Sequence, residues 1–227
     1  MMPSDASYYL LDPNSLQVRI ATQQRRVMYR AFVERLCVGE QSSILDVGVT
    51  SDRTFENSNY LEAWHPYPAN ITALGIDDAS FLETLYKGLR FVRGSGLDMS
   101  FAAKSFDFVH CSAVIEHVGS DENQQRLIFE CARVAKLGFF ITTPNRWFPI
   151  EVHTSLPFLH WLPNRWHRPI FSRLGYEFYS REENLNLMDA TELRKMTANL
   201  RSYNISISRA KLWGVTSNLL LVGQSKG

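Results

Sequence analysis

Two apolar stretches in this 227-residue chain end in groups that could hold a ligand. The first is Ile44-Leu45-Asp46-Val47-Gly48, and the second is Ile71-Thr72-Ala73-Leu74-Gly75-Ile76-Asp77-Asp78. Short, unbroken apolar runs of this kind read as strands of a parallel sheet, buried on both faces. An acid at the carboxyl end of the second such strand is the usual hydrogen-bond acceptor for a ribose diol. Asp77, with Asp78 beside it, therefore points to a nucleoside-bearing cofactor. Between the strands, the turn Gly48-Val49-Thr50-Ser51-Asp52 holds a single glycine, where nucleotide folds usually place several so that backbone N–H groups can approach the ligand.

The elements that must position these residues alternate. Ser15 suits the cap of a helix reaching about Val38, with Val18, Val27, Phe32, Val33 and Leu36 among its apolar positions. The same helix carries Arg19, Arg25, Arg26, Arg30 and Arg35, read as a solvated basic face or, alternatively, an arm over an anionic substrate. Gly39 is expected to end it, and residues 1–14 read as a loosely held arm. Residues 53–70 form a long, aromatic, proline-marked connection, either a binding loop or a short helix packed on the sheet. A helix over residues 79–86 and strands at 89–93 and 106–111 follow. An amphipathic helix at 122–135 and a fifth strand at 137–142 come next. A last helix at 192–200 precedes a closing hairpin of strands at 203–212 and 218–222, joined through Gly214. Strands alternating with helices imply an α/β fold with right-handed crossovers.

Residues 143–180 break the rhythm. The segment gathers Trp147, Phe148, His153, Phe158, His160, Trp161, Trp166, Tyr176 and Tyr179 at the end of a strand, where open α/β sheets build their sites. It reads as a substrate cap inserted in a single domain spanning 1–227. The alternative is a structural subdomain or a homodimer contact.

Composition excludes several classes. A hydrophobic share of 45% and a charged share of 21% fit a globule with a full core. A formal net charge of +1 gives no global field toward nucleic acid or membrane. No apolar run approaches the ~20 residues needed to span a bilayer, and the N-terminus lacks the order of a signal peptide. Cys37, Cys111 and Cys131 are too scattered for a disulfide frame and read as reduced thiols of a cytoplasmic protein.

The motifs, taken together, resemble the class I S-adenosylmethionine-dependent methyltransferases, and more narrowly their type 11 small-molecule branch. Four segments within residues 43–112 and just beyond carry the resemblance: Ile44-Leu45-Asp46-Val47-Gly48; Gly75-Ile76-Asp77; Gly94-Ser95-Gly96-Leu97 with Phe101; and Ser105-Phe106-Asp107-Phe108-Val109 leading to Ile115-Glu116-His117-Val118. It implies a Rossmann-like seven-stranded sheet of order 3-2-1-4-5-7-6, its last strand antiparallel, with helices on both faces. It also implies that S-adenosyl-L-methionine is bound by named residues. Asp77 would take the ribose hydroxyls, and backbone at Gly48 and Val49 would face the methionine part. Asp46 would orient the ammonium group. Ser95 stands where the family commonly has an acid for the adenine amine. Gly96 and Leu97 would line the adenine, while Ser112 and Ala113 flank the methionine side.

Methyl transfer from a sulfonium needs a protein base only when the acceptor arrives protonated. His117, which the resemblance places beside the methyl group, is the first candidate, with His153 and His160 second. Glu116 could set the tautomer or raise the pKa of His117. Glu116, His117 and His153, together with Thr143-Pro144-Asn145, also resemble the metal site of the small-RNA 2′-O-methyltransferases. That pattern's first glutamate falls on Ala113, however, so no metal site is expected. No basic stripe marks a nucleic-acid track. The sequence thus predicts a methyltransferase for a small, partly aromatic or apolar acceptor, with O-, N- or C-attack open. The alternatives are a non-catalytic interaction module on the same fold and a metal-assisted RNA 2′-O-methyltransferase.

Overall fold

The structure, a computed structural model, describes residues 15–55 and 57–227. The arm expected over residues 1–14 lies outside the described residues. Ser15 opens α1 (Leu16–Leu36), its hydroxyl accepting a hydrogen bond from the Val18 N–H. The helix buries Gln24, Met28, Phe32 and Leu36, a stripe at the four-residue spacing that keeps one face on the core. Val27, expected among the apolar positions, is instead 40% exposed because it lies off that stripe. The helix also stops two residues before Gly39, at Cys37, whose φ of 53° is left-handed.

Seven strands form one sheet: β1 (Ile44–Val47), β2 (Ile71–Gly75), β3 (Arg90–Arg93), β4 (Phe106–Ser112), β5 (Ala135–Pro144), β6 (Tyr203–Leu212) and β7 (Val215–Ser225). Their order is β3-β2-β1-β4-β5-β7-β6. Pairing is parallel from β3 to β5, and β7 runs antiparallel to both β5 and β6. The sheet order and mixed direction match the sequence expectation. The closing hairpin turns through Trp213 and Gly214, both at positive φ, a two-residue turn whose twist suits paired strands.

Each face carries its own core. On one side α1, α2 (Tyr60–Trp64) and α3 (Phe81–Leu85) cover Ile44, Ile71, Ala73, Phe108 and Phe140. On the other, α4 (Asp121–Val134) packs on Leu45, Val47, Val109, Phe139 and Ile141. The segment after β5 holds α5 (Asn164–Arg173) and α6 (Glu177–Ser180), which gather a third cluster around Phe171, Tyr179 and Leu185. A final helix, α7 (Ala190–Thr197), returns to the second face. It carries a full capping box, Asp189 with Glu192, which fixes its start near residue 190 rather than 192.

The connection after β1 takes the short-helix form. No helix starts at the Gly48 turn; α2 begins only at Tyr60 and lasts five residues. Asn59 bonds in both directions to the Thr50 backbone and holds the intervening loop.

Gly223 in β7 tests this packing. A Cβ there would lie 2.2 Å from the ring of Phe139, which is fully buried and has no room to withdraw. Gly223→Ala is expected to lower unfolding stability by about 1–3 kcal/mol in urea titrations; unchanged stability would contradict the packing at the centre of the sheet.

Candidate active site

The strand order reverses between β1 and β4, and the helices after them leave on opposite faces. That leaves a crevice at the carboxyl ends, the usual ligand site of such sheets. The residues expected to hold the cofactor all fall there. Gly48, Asp77, Asp78, Ser95 and Ala113 are exposed, Gly96, Leu97 and Ser112 are half-buried, and Asp46 and Val49 are buried.

Their local chemistry differs in detail. The Asp77 carboxylate accepts no hydrogen bond among the described residues and faces solvent. Asp78 is turned to its own chain, its Oδ1 accepting from the Ser80 N–H at 2.9 Å; that bond holds its carboxyl below the usual range. Ser95 also bonds locally, its Oγ accepting from the Leu97 N–H at 3.1 Å. The Gly48 and Val49 N–H groups both donate to the Leu74 carbonyl, at 2.7 and 3.2 Å. They brace the turn against β2, so what this turn offers a ligand is its bare surface. Gly48 is at φ 94°, and a Cβ there would lie 2.2 Å from Val114. Ala113 is also left-handed, at φ 55°, and its N–H donates to the Thr142 carbonyl.

Beneath the turn lies a polar chain that the motifs did not reveal. β1 and β4 pair with Asp46 opposite His110. His110 Nδ1 is 2.6 Å from Asp46 Oδ1, and its Nε2 is 2.8 Å from the Tyr60 hydroxyl. Burial pushes His110 down to about 4, so the ring is neutral. It donates from Nδ1 to Asp46 and accepts the Tyr60 proton at Nε2. Burial also raises Asp46 to about 7, against a lowering hydrogen bond with Glu62. Glu62, on α2, is 1% exposed, and among the described residues neither of its oxygens meets an N–H or hydroxyl donor. Burial, then the charge of Asp46, lifts its carboxyl well above the usual range. Burial thus holds both acids toward their neutral forms. The signal available in sequence was a pair of polar residues, Asp46 and His110, at one level of two adjacent apolar strands.

The expected histidines do meet. His117 ends a 3₁₀ turn (Ile115–His117) anchored by the fully buried Ile115. Its Nδ1 is 2.6 Å from the Asn184 carbonyl. His153, 36 residues on in the cap, stands with its ring centroid 4.8 Å from that of His117, the planes nearly perpendicular. Its side chain is 6% exposed, so it is no surface histidine. Glu151 fixes its loop: Oε1 accepts from His153 Nδ1 at 2.7 Å and from the His153 N–H, while Oε2 accepts from the Thr154 N–H. Burial would raise the Glu151 carboxyl, but these bonds outweigh it and hold it at about 2. His160 bonds instead to the Phe148 carbonyl inside the cap. Glu116 is fully buried, its Oε2 accepting from Thr143 Oγ1 at 3.0 Å.

A cavity of about 380 Å³ opens against His153. Gln17, Val18 and Arg25 of α1, Phe55 and Asn57 of the loop, and Tyr176 of the cap line it. Arg25 is half-buried and donates to Asn57, whereas Arg19, Arg26, Arg30 and Arg35 form the solvated face. The cavity is therefore partly aromatic with polar and basic groups at its wall.

Residues 45–142 match the model of the family described as methyltransferase domain. The solved structures similar to the chain share its fold at low identity. The PH0226 protein from Pyrococcus horikoshii is 14% identical, with 97% of this chain and 99% of that one covered and a TM-score of 0.60. Magnesium protoporphyrin IX methyltransferase from Synechocystis, solved with bound S-adenosylmethionine, is 12% identical over 97% and 89%, with a TM-score of 0.58. A methyltransferase dependent on the same cofactor, from Methanosarcina mazei, is 16% identical over 86% and 96%, with a TM-score of 0.54. No curated protein matches the chain. The chain thus has the fold of these structures, with the methyltransferase-domain match lying over its first five strands. No helix among the described residues is long and apolar enough to cross a membrane.

The raised Glu62 carboxyl gives a pH test. Glu62 ionises near 4.5 when unfolded and well above that when folded. Its contribution to stability is thus full below about 4.5 and declines as pH rises from there toward the folded value. Glu62→Gln cannot ionise. Its unfolding stability should fall less steeply than wild type between pH 5 and 8, by up to ~1.4 kcal/mol per pH unit. Parallel pH profiles in denaturant titrations would contradict the assignment.

Proposed function

We propose that the protein is an S-adenosyl-L-methionine-dependent methyltransferase acting on a small acceptor held beneath the cap. The observation that carries this reading is the exposed Asp77 carboxylate at the tip of β2, which accepts no hydrogen bond among the described residues and lies at the strand ends with the other expected cofactor residues. The residues fit the cofactor. Asp77 would accept both ribose hydroxyls, charge-assisted bonds worth about 1.5–3 kcal/mol each. Asp78, its carboxylate tied to Ser80, would support the turn beside it. Gly96 and Leu97 would border the adenine, with the Ser95 hydroxyl as a weak acceptor for its amine. Ser112 and Ala113 would flank the methionine chain beside Gly48 and Val49, and the Asp46–Glu62 pair would meet the ammonium group from below. A cation there would favour ionisation of these acids, since an opposite charge stabilises the charged form.

The cofactor supplies an activated methyl group; the protein must orient the acceptor and exclude water. His153 lines the cavity with His117 packed against it, and both would act on the acceptor. The cavity's aromatic and polar lining suits a compact acceptor with an apolar face and a few hydrogen-bonding groups. Residues 143–180 would then be the cap of a single domain.

Two outcomes test this. Asp77→Ala should weaken S-adenosylhomocysteine binding at least tenfold in calorimetry, and equal affinity would remove Asp77 from the site. Wild-type protein with that ligand at about a hundred times its Kd should gain ~2.7 kcal/mol of stability. No thermal shift with either form of the cofactor would favour a non-catalytic module on this fold.

A further inference from the structure

The cavity against His153 has α1 on one wall and the cap on another, and none of the residues expected to hold the cofactor lines it. Among the described residues at its wall, Arg25 is the only lysine or arginine, and there is no aspartate or glutamate. Arg133, Arg168 and Arg181 each pair with a glutamate. Arg25 is half-buried and forms no ion pair among the described residues. Glu151, the ionised acid behind His153, has a fully buried side chain with both oxygens already occupied.

The Arg25 guanidinium is also held in place. Its Nη1 donates to Asn57 Oδ1 at 3.2 Å, Asn57 Nδ2 donates to the Thr22 hydroxyl, and Thr22 Oγ1 donates to the Val18 carbonyl at 2.8 Å. These bonds run back to α1 itself and anchor the arginine through one nitrogen. The other donors of its planar fork remain for a ligand. A cation fixed in this way loses little freedom on binding, which favours recognition of a planar anion. Phe55, buried, and Tyr176, half-buried, put rings into the same wall.

We propose that this cavity is a subsite for an acceptor bearing both a carboxylate and a ring, with Arg25 holding the carboxylate and Phe55 and Tyr176 packing on the ring. The subsite rests on the methyltransferase reading for the reaction its occupant undergoes. A lone guanidinium matches one carboxylate through two parallel bonds. A phosphate dianion would call for further cations, and the described wall holds none. A volume of about 380 Å³ is at the small end for ligand pockets, so the acceptor is compact. Arg25 stands on the α1 wall, with Val152 and His153 on the cap wall. A molecule anchored at the first presents its far end to the second. The carboxylate is therefore the handle, and the methyl-accepting atom lies at the other end.

The test is calorimetric titration of the full-length protein, with and without saturating S-adenosylhomocysteine. The probes are 4-hydroxybenzoate, 3-(4-hydroxyphenyl)propanoate and indole-3-carboxylate, each beside its primary amide, which keeps the ring and removes the charge. At least one carboxylate should bind, about tenfold or more tightly than its amide, as one charge-assisted bond allows. In Arg25→Gln that preference should disappear, while Arg25→Lys, which keeps the charge and loses the fork, should fall between. Circular dichroism shows whether each variant keeps its fold; if Arg25→Gln does not, Arg25→Lys carries the comparison. No carboxylate bound by wild type, equal binding of acid and amide, or a preference surviving in folded Arg25→Gln overturns the subsite. So does a loss of S-adenosylhomocysteine affinity in Arg25→Gln, which would assign the guanidinium to the cofactor's own carboxylate. S-adenosylhomocysteine bound by wild type without any carboxylate preference sinks only this inference. A carboxylate preference in a protein that never binds S-adenosylhomocysteine upholds the subsite and sinks the methyltransferase reading instead.

Discussion

The 2.6 Å hydrogen bond between His110 and Asp46 ties together the two strands between which the sheet order reverses. It crosses the centre of the sheet, where a charged pair would be expensive, and it succeeds because burial keeps the imidazole neutral. Tyr60 completes the chain from α2. One polar line thus holds β1, β4 and the short helix in register beneath the crevice.

That arrangement also explains the glycine-poor turn. In many nucleotide folds a helix starts at the turn and offers its N–H groups to the ligand. Here the first two N–H groups go to Leu74, and the helix is delayed to Tyr60. The turn is braced by β2 rather than by a ligand, so in the proposed site attraction would fall to carboxylates such as Asp77 at the rim. The bonds of the elongated loop, Asn59 to Thr50, are likewise spent on its own shape.

Much of the fold was legible because its signals were local. Unbroken apolar runs marked the central strands, and alternation with helices set their direction. Gly214 marked the hairpin, although the partner Trp213 at positive φ carried no residue signal. Helix ends were less legible: Cys37 takes the left-handed cap where Gly39 was the better candidate by type, and Asp189 starts α7 through a capping box read too late. The acids and glycines of the crevice were readable from motif order. The Asp46–His110–Tyr60 chain was not, since it needs strand register and a helix start that no periodicity reveals. The meeting of His117 and His153 depends on the loop that Glu151 folds, a tertiary event between residues 36 apart.

The proposed site depends above all on where a nucleoside sits. A crystal structure grown with S-adenosylhomocysteine is the most direct measurement. The ribose diol should lie on the Asp77 carboxylate, with the sulfur between Gly48 and Ala113 and directed toward the His117 side of the crevice. A nucleoside bound elsewhere, or a crevice that stays closed at saturating ligand, would contradict it.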